Sequence, residues 1–316
     1  MEYRRLGRTG LEVSAMALGC GGPSRLGLST GRTGEQSAAV VRAALDAGVN
    51  FIDTATAYRT EPLVAAGLRG CRREEVVLSS KRGLRADSAD SGDRLLTGAE
   101  LEAAVEASLR RLETDYIDVY HLHGVSDEQY AHARAELVPA LLRLREAGKV
   151  RFLGITERFG NDTEHRMLRA ALDDGCFEVV MVGFNMLNHT ARDSVLRVAA
   201  DRDVGTMIMF AVRRAFSRPE RLRELLAELA GRGEVDRELA EAPDPFGFLA
   251  AETEDLADAA YRYCIGQPGV STVLSGTGNV DHLRANAASF ARGPLSAAAT
   301  ARIDRLFARV TSVSGS

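Results

Sequence analysis

The strongest constraint on the fold is a regular alternation of short apolar runs with longer segments of helical periodicity. Strands that are apolar on both faces are covered on both sides, as in parallel sheets whose strands are joined by crossover helices. Eight βα units therefore predict a closed (β/α)8 TIM barrel. The eight runs are MALG (16–19), NFID (50–53), VVLSSK (76–81), YIDVYHLH (116–123), VRFLGI (150–155), FEVVMVGF (177–184), GTMIMF (205–210) and STVLS (271–275).

The segments between these runs carry the helical pattern, and several end in Gly, the usual residue just past a helix C-terminus. They are EQSAAVVRAALDAG (35–48), GAELEAAVEASLRRL (98–112), ELVPALLRLREAG (136–148), TEHRMLRAALDDG (163–175), TARDSVLRVAADRD (190–203) and VDHLRANAASFA (280–291). An open doubly wound sheet is the main alternative to a barrel. The open sheet is disfavoured because no GxGxxG dinucleotide-binding motif follows an early strand.

Two further features complete the predicted architecture. The opening segment EYRRLG-RTG-LEVSA (2–15) predicts an N-terminal β-hairpin. About 60 residues separate strands seven and eight, and we interpret them as an elaborated loop, because strand eight still follows. Residues 1–316 are accordingly expected to form a single domain.

Composition excludes several classes of protein. The hydrophobic fraction of 45% and the charged fraction of 27% are typical of a globular protein, and a net charge of -4 gives no general attraction to nucleic acid or to an anionic membrane. The four cysteines (20, 71, 176 and 264) are too widely spaced for a zinc knuckle or a disulfide framework, so no metal site is expected. No secretion signal or membrane span is found. We expect a cytoplasmic monomer or small homo-oligomer.

Four polar residues end or follow neighbouring strands of the predicted barrel. Asp53 ends the second strand, and Tyr58 lies in the loop after it. Lys81 ends the third strand and His123 the fourth. Each alone has an ordinary structural explanation, but strand ends of a barrel meet at one mouth, where active sites are built, so together they predict a catalytic site. His121 shares the parity of His123 and is expected deeper in the barrel interior.

Proton transfer by a phenol is the chemistry that needs these residue types together. A free Tyr titrates near pH ~10, so Tyr58 requires a neighbouring cation to act near neutrality. Lys81 would stabilise the phenolate, and Asp53 would keep the ammonium charged and in place. His123 could donate a hydrogen bond to a carbonyl oxygen. No nucleophile signature or paired carboxylates accompany them, so reduction of a carbonyl by an external hydride donor fits best.

Five segments, NFIDTATAYRTE, VVLSSKRG, DYIDVYHLHG, KVRFLGIT and VLSGTGNVDHLRAN, together resemble the aldo-keto reductase superfamily in order and spacing. The resemblance covers nearly the whole chain. It implies a (β/α)8 barrel, an extended NADPH bound without a Rossmann motif, and a catalytic tetrad at Asp53, Tyr58, Lys81 and His123. The function it implies is NAD(P)H-dependent reduction of a small aldehyde or ketone, with Tyr58 as the proton donor.

The resemblance also implies a cofactor site, and this sequence departs from the family pattern there. Thr156, Glu157 and Met181 stand where a Ser-Asn pair and a Gln commonly bind the nicotinamide amide, and Met181 cannot replace the hydrogen bonds of Gln. Gly276 and His282 stand where Lys and Arg clamp the 2'-phosphate in some members, so NADPH is expected and NADH stays possible. The expected cofactor-binding residues are Gly21, Asp53, Thr156, Met181, Phe210, Arg213, Arg214, Gly276, Thr277, Gly278, His282 and Asn286.

Some of these assignments rest on local chemistry as well. Gly276 and Gly278 permit close approach of phosphate at a helix start, and Thr277 can hydrogen-bond it. Arg213 and Arg214 are either pyrophosphate ligands or solvated loop charges. The substrate would be selected by the loops 22–33, 124–135 and 213–255.

Two other functions stay open at this level. One is a cofactor-binding regulatory subunit with little turnover. The other is a barrel lyase or isomerase that uses no nicotinamide.

Overall fold

An antiparallel hairpin opens the chain in the computed structural model, which describes residues 1–86 and 93–315. Strand β1 (Tyr3–Arg5) pairs with β2 (Glu12–Ser14), which confirms the predicted hairpin. Leu6 and Val13 are fully buried and pack with the apolar side chains inside the barrel. The hairpin thereby covers the end of the barrel at which its strands begin.

Eight parallel strands close into a barrel, in which the last strand pairs with the first and each other strand pairs with its sequence neighbours. Each of the eight predicted runs overlaps one strand, so the predicted TIM barrel is confirmed. The strands are β3 (Met16–Gly19), β4 (Phe51–Asp53), β5 (Val77–Gly83), β6 (Ile117–Val125), β7 (Val150–Glu157), β8 (Val179–Gly183), β9 (Gly205–Met209) and β10 (Thr272–Ser275).

Helices follow the strands and form the outer layer, and their buried faces pack on the barrel in one large apolar cluster. They are α1 (Gly34–Asp46), α2 (Glu61–Leu68), α3 (Gly98–Leu112), α4 (Asp127–His132), α5 (Val138–Glu146), α6 (Arg166–Asp174), α7 (Arg197–Asp201), α8 (Arg214–Ser217), α9 (Pro219–Gly231), α10 (Arg237–Glu241), α11 (Leu256–Ile265), α12 (Val280–Ala291) and α13 (Ala297–Leu306). The predicted helix over 190–203 is present, with a wider π-helical turn over Arg192–Leu196 that runs directly into α7.

Local sequence explains where two of these helices begin. Thr33 and Thr97 cap α1 and α3, and each side-chain oxygen accepts the backbone N–H three residues on. Gln36 and Glu100 return the bond to the cap backbone. These reciprocal capping boxes satisfy N–H groups that the first helical turn leaves unpaired.

The register of the strands separates an apolar layer from a polar layer inside the barrel. Phe51, Val77 and Val119 lie in the apolar interior cluster. Two residues further along β4, Asp53 faces inward at the same level as Ser79, with which it pairs in register. Side chains alternate along a strand, so positions of equal parity share the interior face. The polar layer therefore lies at the carboxyl ends of the strands.

The residues between β9 and β10 form a helical insertion, defined here as residues 210–271. Its helix α9 buries four leucines at helical spacing, Leu222, Leu225, Leu226 and Leu229. Phe246 stacks on Phe307 just after α13, with ring centroids 5.7 Å apart. The predicted elaborated loop is thus built mainly of helices α8 to α11, and it is anchored to the C-terminal part of the chain.

Among the helices that the structure describes, none is long and apolar enough to cross a membrane. Within residues 1–86 and 93–315, no group of three His, Cys, Asp or Glu side chains is arranged to hold a metal ion.

Candidate active site

A cavity of about 470 Å³ opens at the carboxyl ends of the barrel strands. The ends of β4, β6, β7, β8, β9 and β10 all contribute to it, as does the loop after β3. The residues predicted to form the site that line the cavity are Gly21, Asp53, Tyr58, His123, Thr156, Met181, Phe210, Arg213 and Gly276.

A buried ion pair forms the floor on the β4–β5 side. Lys81 Nζ lies 2.6 Å from both carboxylate oxygens of Asp53 and donates a third bond to the carbonyl of Thr54 at 2.9 Å. Ser79 Oγ donates to Asp53 at 2.8 Å. Because Lys81 has no exposed surface and Asp53 almost none, every polar atom of the pair depends on these bonds.

Tyr58 lies above this pair and faces His123. The ammonium of Lys81 lies 5.1 Å from the centroid of the Tyr58 ring. The phenol oxygen lies 3.4 Å from His123 Nε2, and the two rings meet edge to face at an interplanar angle of 89°. Gly21 packs so closely on the ring that an added Cβ would lie 2.5 Å from Tyr58 Cε2. Only glycine at position 21 therefore leaves the space that the Tyr58 ring occupies. This packing requires glycine whether or not Gly21 also contacts a cofactor.

Burial sets the protonation of Tyr58. Removal from water raises the pKa of the phenol above its ordinary value, and the positive charge of Lys81 offsets only part of that rise. Burial works to lower the pKa of Lys81, but Asp53 and Tyr58 raise it above its ordinary value. The free site thus holds a neutral phenol beside a charged ammonium, so Tyr58 has a proton to give.

The histidines are neutral for the same reason. Burial, together with the charges of Lys81, Arg158 and Arg82, lowers the pKa of His123 to about 3. His121 lies in the barrel interior as predicted, where burial lowers its pKa well below the ordinary value. Its ring fills the space that a side chain at Gly154 would occupy. A neutral His123 keeps one ring N–H available as a donor.

On the β7 side, Glu157 lines the cavity, and its carboxylate is bonded to a buried partner. Its carboxylate lies 2.8 Å from His165 Nδ1 and accepts the backbone N–H of Gly183 at 2.8 Å. His165 Nε2 lies 2.9 Å from Thr190 Oγ1. Burial raises the pKa of Glu157, and the bonds from His165 and Gly183 oppose that rise. This pair joins β7 to the end of β8.

A stack of planar groups extends from that pair along the cavity wall. Phe159 stacks on His165 at 5.3 Å between centroids and on Phe210 at 6.2 Å. The guanidinium of Arg213 lies over the Phe210 ring, 4.1 Å from its centroid. Arg213 is half-buried, and its Nε has no hydrogen-bond partner in the part of the chain that the structure describes. Arg214 is exposed and lies outside the cavity lining.

The remaining predicted cofactor residues lie in the loop between β10 and α12 and on α12. Thr277 Oγ1 accepts the backbone N–H of Asn279, the cap of α12, at 3.1 Å. Asn286 donates to Ser275 at 2.9 Å, and His282 is exposed. An added Cβ at Gly278 would overlap the backbone of Gly27, so packing alone requires glycine there. A cofactor role for these residues stays a prediction.

Sequence reasoning missed several residues of the cavity wall. Phe159 and Arg158 follow β7 directly, and a reading of the residues just past the strand end would have included them. Tyr261 reaches the cavity from α11 in the helical insertion, where it accepts a hydrogen bond from Ser275 at 3.0 Å. The sequence gives no indication that His165 belongs to the site, because nothing in the local pattern links it to Glu157.

The fold and the cavity define a (β/α)8 barrel whose site lies at the carboxyl ends of its strands. The chain belongs to the Aldo/keto reductase family, whose sequence profile matches residues 17–308. By its membership in this family, the protein is an oxidoreductase.

Relatives match over nearly the full chain. The uncharacterized oxidoreductase YqkF of Bacillus subtilis is 25% identical over 294 residues, which are 90% of this chain and 90% of that protein. The aldo-keto reductase AKR11C1 from Bacillus halodurans, in its holo form, superposes with a TM-score of 0.73 at 25% identity and covers 99% of this chain and 98% of its own. An aldo/keto reductase from Klebsiella pneumoniae in complex with NADP and acetate superposes with a TM-score of 0.69 at 25% identity. This superposition covers 98% of this chain and 97% of that protein.

Proposed function

We propose that this chain reduces a small aldehyde or ketone to an alcohol, with NADPH as the hydride donor and Tyr58 as the proton donor. The observation that carries the proposal is a neutral phenol and a neutral imidazole that line one cavity, with a charged and fully buried ammonium next to the phenol ring. These groups suit a carbonyl oxygen that gains negative charge and then a proton during reduction.

The substrate oxygen would be held between Tyr58 and His123. The phenol oxygen of Tyr58 and Nε2 of His123 lie 3.4 Å apart, so one acceptor oxygen can contact both donors from the cavity side. Because His123 is neutral, it polarises the carbonyl through a hydrogen bond and does not compete with Tyr58 as an acid. These two donors orient the carbonyl carbon toward the hydride donor.

Proton transfer then depends on Lys81. A reduced nicotinamide, when bound, would supply the hydride that the carbonyl carbon needs. Tyr58 would give its proton to the carbonyl oxygen, so that the product is the alcohol. The phenolate left behind is stabilised by the ammonium of Lys81, which Asp53 holds in place. Solvent returns a proton to Tyr58 before the next turnover.

The chain has groups that fit a nicotinamide dinucleotide. The buried Nε of Arg213 has no hydrogen-bond partner among residues 1–86 and 93–315 and lies beside the aromatic face of Phe210, which suits a diphosphate next to a flat ring. The start of α12 offers backbone N–H groups for a phosphate. At the amide end, Met181 offers no hydrogen bond and the carboxylate of Glu157 is already bonded to His165. We therefore expect the protein to bind the carboxamide of the nicotinamide more weakly than the phosphates.

A titration with NADPH and with NADH, followed by energy transfer from protein tyrosines to the bound nicotinamide, tests the cofactor assignment. We expect micromolar binding of NADPH, weaker binding of NADH, and oxidation of NADPH when a simple aldehyde is added. Binding without turnover would favour the regulatory-subunit alternative. No binding of either nucleotide would refute the reductase assignment.

The pH dependence of turnover follows from the pKa directions. His123 has to be neutral, and its pKa of about 3 keeps it so down to strongly acid pH. Tyr58 has to be protonated, and its raised pKa keeps it so beyond pH ~10. We expect kcat/KM for the aldehyde, at saturating NADPH, to stay level from pH ~5 to ~10 and to fall only at higher pH. An acid-side fall centred near pH ~6.5, the ordinary pKa of histidine, would contradict this account of His123.

A further inference from the structure

The acidic groups of the cavity wall already have basic partners. Asp53 lies 2.6 Å from the ammonium of Lys81. Glu157 lies 2.8 Å from His165. Both carboxylates are almost completely buried. Neither is therefore left to neutralise another positive charge that faces the cavity.

Two arginines of the same wall lack such a partner. Arg158 and Arg213 line the cavity, and neither has a carboxylate within 4.0 Å among residues 1–86 and 93–315. Arg213 stacks on Phe210, on the side where the proposed function places the cofactor diphosphate. Arg158 is bonded to Gly124, the residue after His123, and its charge helps burial and Lys81 to lower the pKa of His123. A positive charge without a carboxylate partner therefore lies close to the proposed substrate site.

Arg158 is held in place by the backbone that follows His123. Its Nε donates to the carbonyl oxygen of Gly124 at 2.6 Å. The N–H of Gly124 donates in turn to Thr156 Oγ1 at 2.7 Å, so the ends of β6 and β7 are tied together at this point. Gly124 has a φ of 61°, a backbone conformation that favours glycine. Since Nε is committed, the two terminal amino groups form the open part of the guanidinium.

We propose that the preferred substrate carries a carboxylate a few atoms from its carbonyl group, and that Arg158 binds this carboxylate. This proposal rests on the reductase function above and specifies the substrate class of that site. A planar guanidinium matches a carboxylate with two parallel hydrogen bonds, and the bond to Gly124 removes much of the entropy cost of orienting it. Tyr58 and His123 would hold the carbonyl oxygen of the same molecule.

Other charges nearby support the preference for an anion. Arg82 adds to the positive potential at His123. Glu128 on α4 is an exposed acid whose pKa is lowered mainly by a hydrogen bond from Ser126 and to a smaller extent by the charges of Arg166 and Arg158. Its carboxylate lies beyond ion-pair distance of Arg158, in contact with solvent. Arg158 is itself exposed, so its interactions are partly screened by water. A carboxylate that makes two hydrogen bonds to its guanidinium would still interact with it more strongly than Glu128 does.

Paired substrates test the proposal with NADPH as the donor. We would compare 4-oxobutanoate with its methyl ester and 4-carboxybenzaldehyde with its methyl ester, because each pair differs in charge while keeping the aldehyde. The wild-type protein is expected to show a kcat/KM about tenfold or more higher for at least one acid than for its ester, mainly through a lower KM. The preference is expected to weaken as ionic strength rises.

Two variants identify the residue. Arg158→Gln is expected to raise KM for the acid about tenfold and to leave the ester unchanged, whereas Arg158→Lys restores part of the preference. Arg169→Gln, on the exposed face of α6 and outside the cavity lining, removes the same charge and is expected to change neither. Equal reduction of acid and ester by the wild type would overturn this proposal and leave the reductase function standing. A preference that survives Arg158→Gln would overturn the role of Arg158, and failure to reduce any aldehyde would overturn both proposals.

Discussion

Replacing Tyr58 by Phe is expected to lower kcat by roughly 10²- to 10⁴-fold, the range that general acid catalysis contributes. The substitution removes only the hydroxyl that lies 3.4 Å from His123, and it keeps the ring that packs against Gly21. Burial keeps this phenol protonated in the free site, so its loss removes the proton that the alcohol product needs. Single-turnover measurements with bound NADPH would isolate this chemical step from binding and release.

Cofactor binding provides the control for that result. The Kd for NADPH is expected to change little in Tyr58→Phe, because the groups proposed to hold the cofactor, such as Arg213 and the start of α12, are unaltered. Tyr116→Phe removes a phenol hydroxyl just before β6, at the opposite end of the barrel, and should leave kcat unchanged. Retained turnover in Tyr58→Phe would mean that another group donates the proton.

The barrel could be predicted because its signals are local. Each strand is an apolar run, and each helix carries its own periodicity, so both can be recognised without knowing what they touch. The grouping of Asp53, Lys81 and His123 was also predictable, since residues at the ends of adjacent parallel strands meet at one mouth. That reasoning needs only strand order and parity.

Electrostatics at the site was predicted less well, because burial competes with charge there. The sequence suggested that Lys81 would lower the pKa of Tyr58, yet burial outweighs it and the net direction is upward. The pair of Glu157 and His165 could not be predicted either. His165 has a left-handed backbone, with φ 59°, in the loop before α6, and neither strand nor helix periodicity reports on such a position.

Replacing Lys81 by Met is expected to lower the free energy of unfolding by about 3–5 kcal/mol, the cost of leaving one member of a buried ion pair uncompensated. Asp53 would keep its bond from Ser79 at 2.8 Å but would lose the ammonium that contacts both of its oxygens. Turnover should fall as well, because the Tyr58 phenolate would form without a neighbouring cation. Urea unfolding near pH ~7.5 measures the full stability effect: the pKa of Lys81 is raised in the folded state, so its contribution persists until the pH rises past ~10.4.

A double variant, Lys81→Met with Asp53→Asn, separates the role of Lys81 in stability from its role in the reaction. Removing both charges leaves no unpaired ion in the barrel, and the amide can still accept the hydrogen bond from Ser79. The double variant should therefore be more stable than Lys81→Met alone, so that the two substitutions are strongly non-additive in unfolding. Turnover should stay low in it, since the cation beside Tyr58 is still missing. If turnover recovered together with stability, Lys81 would act only by holding the fold together, and its proposed role in stabilising the Tyr58 phenolate would be wrong.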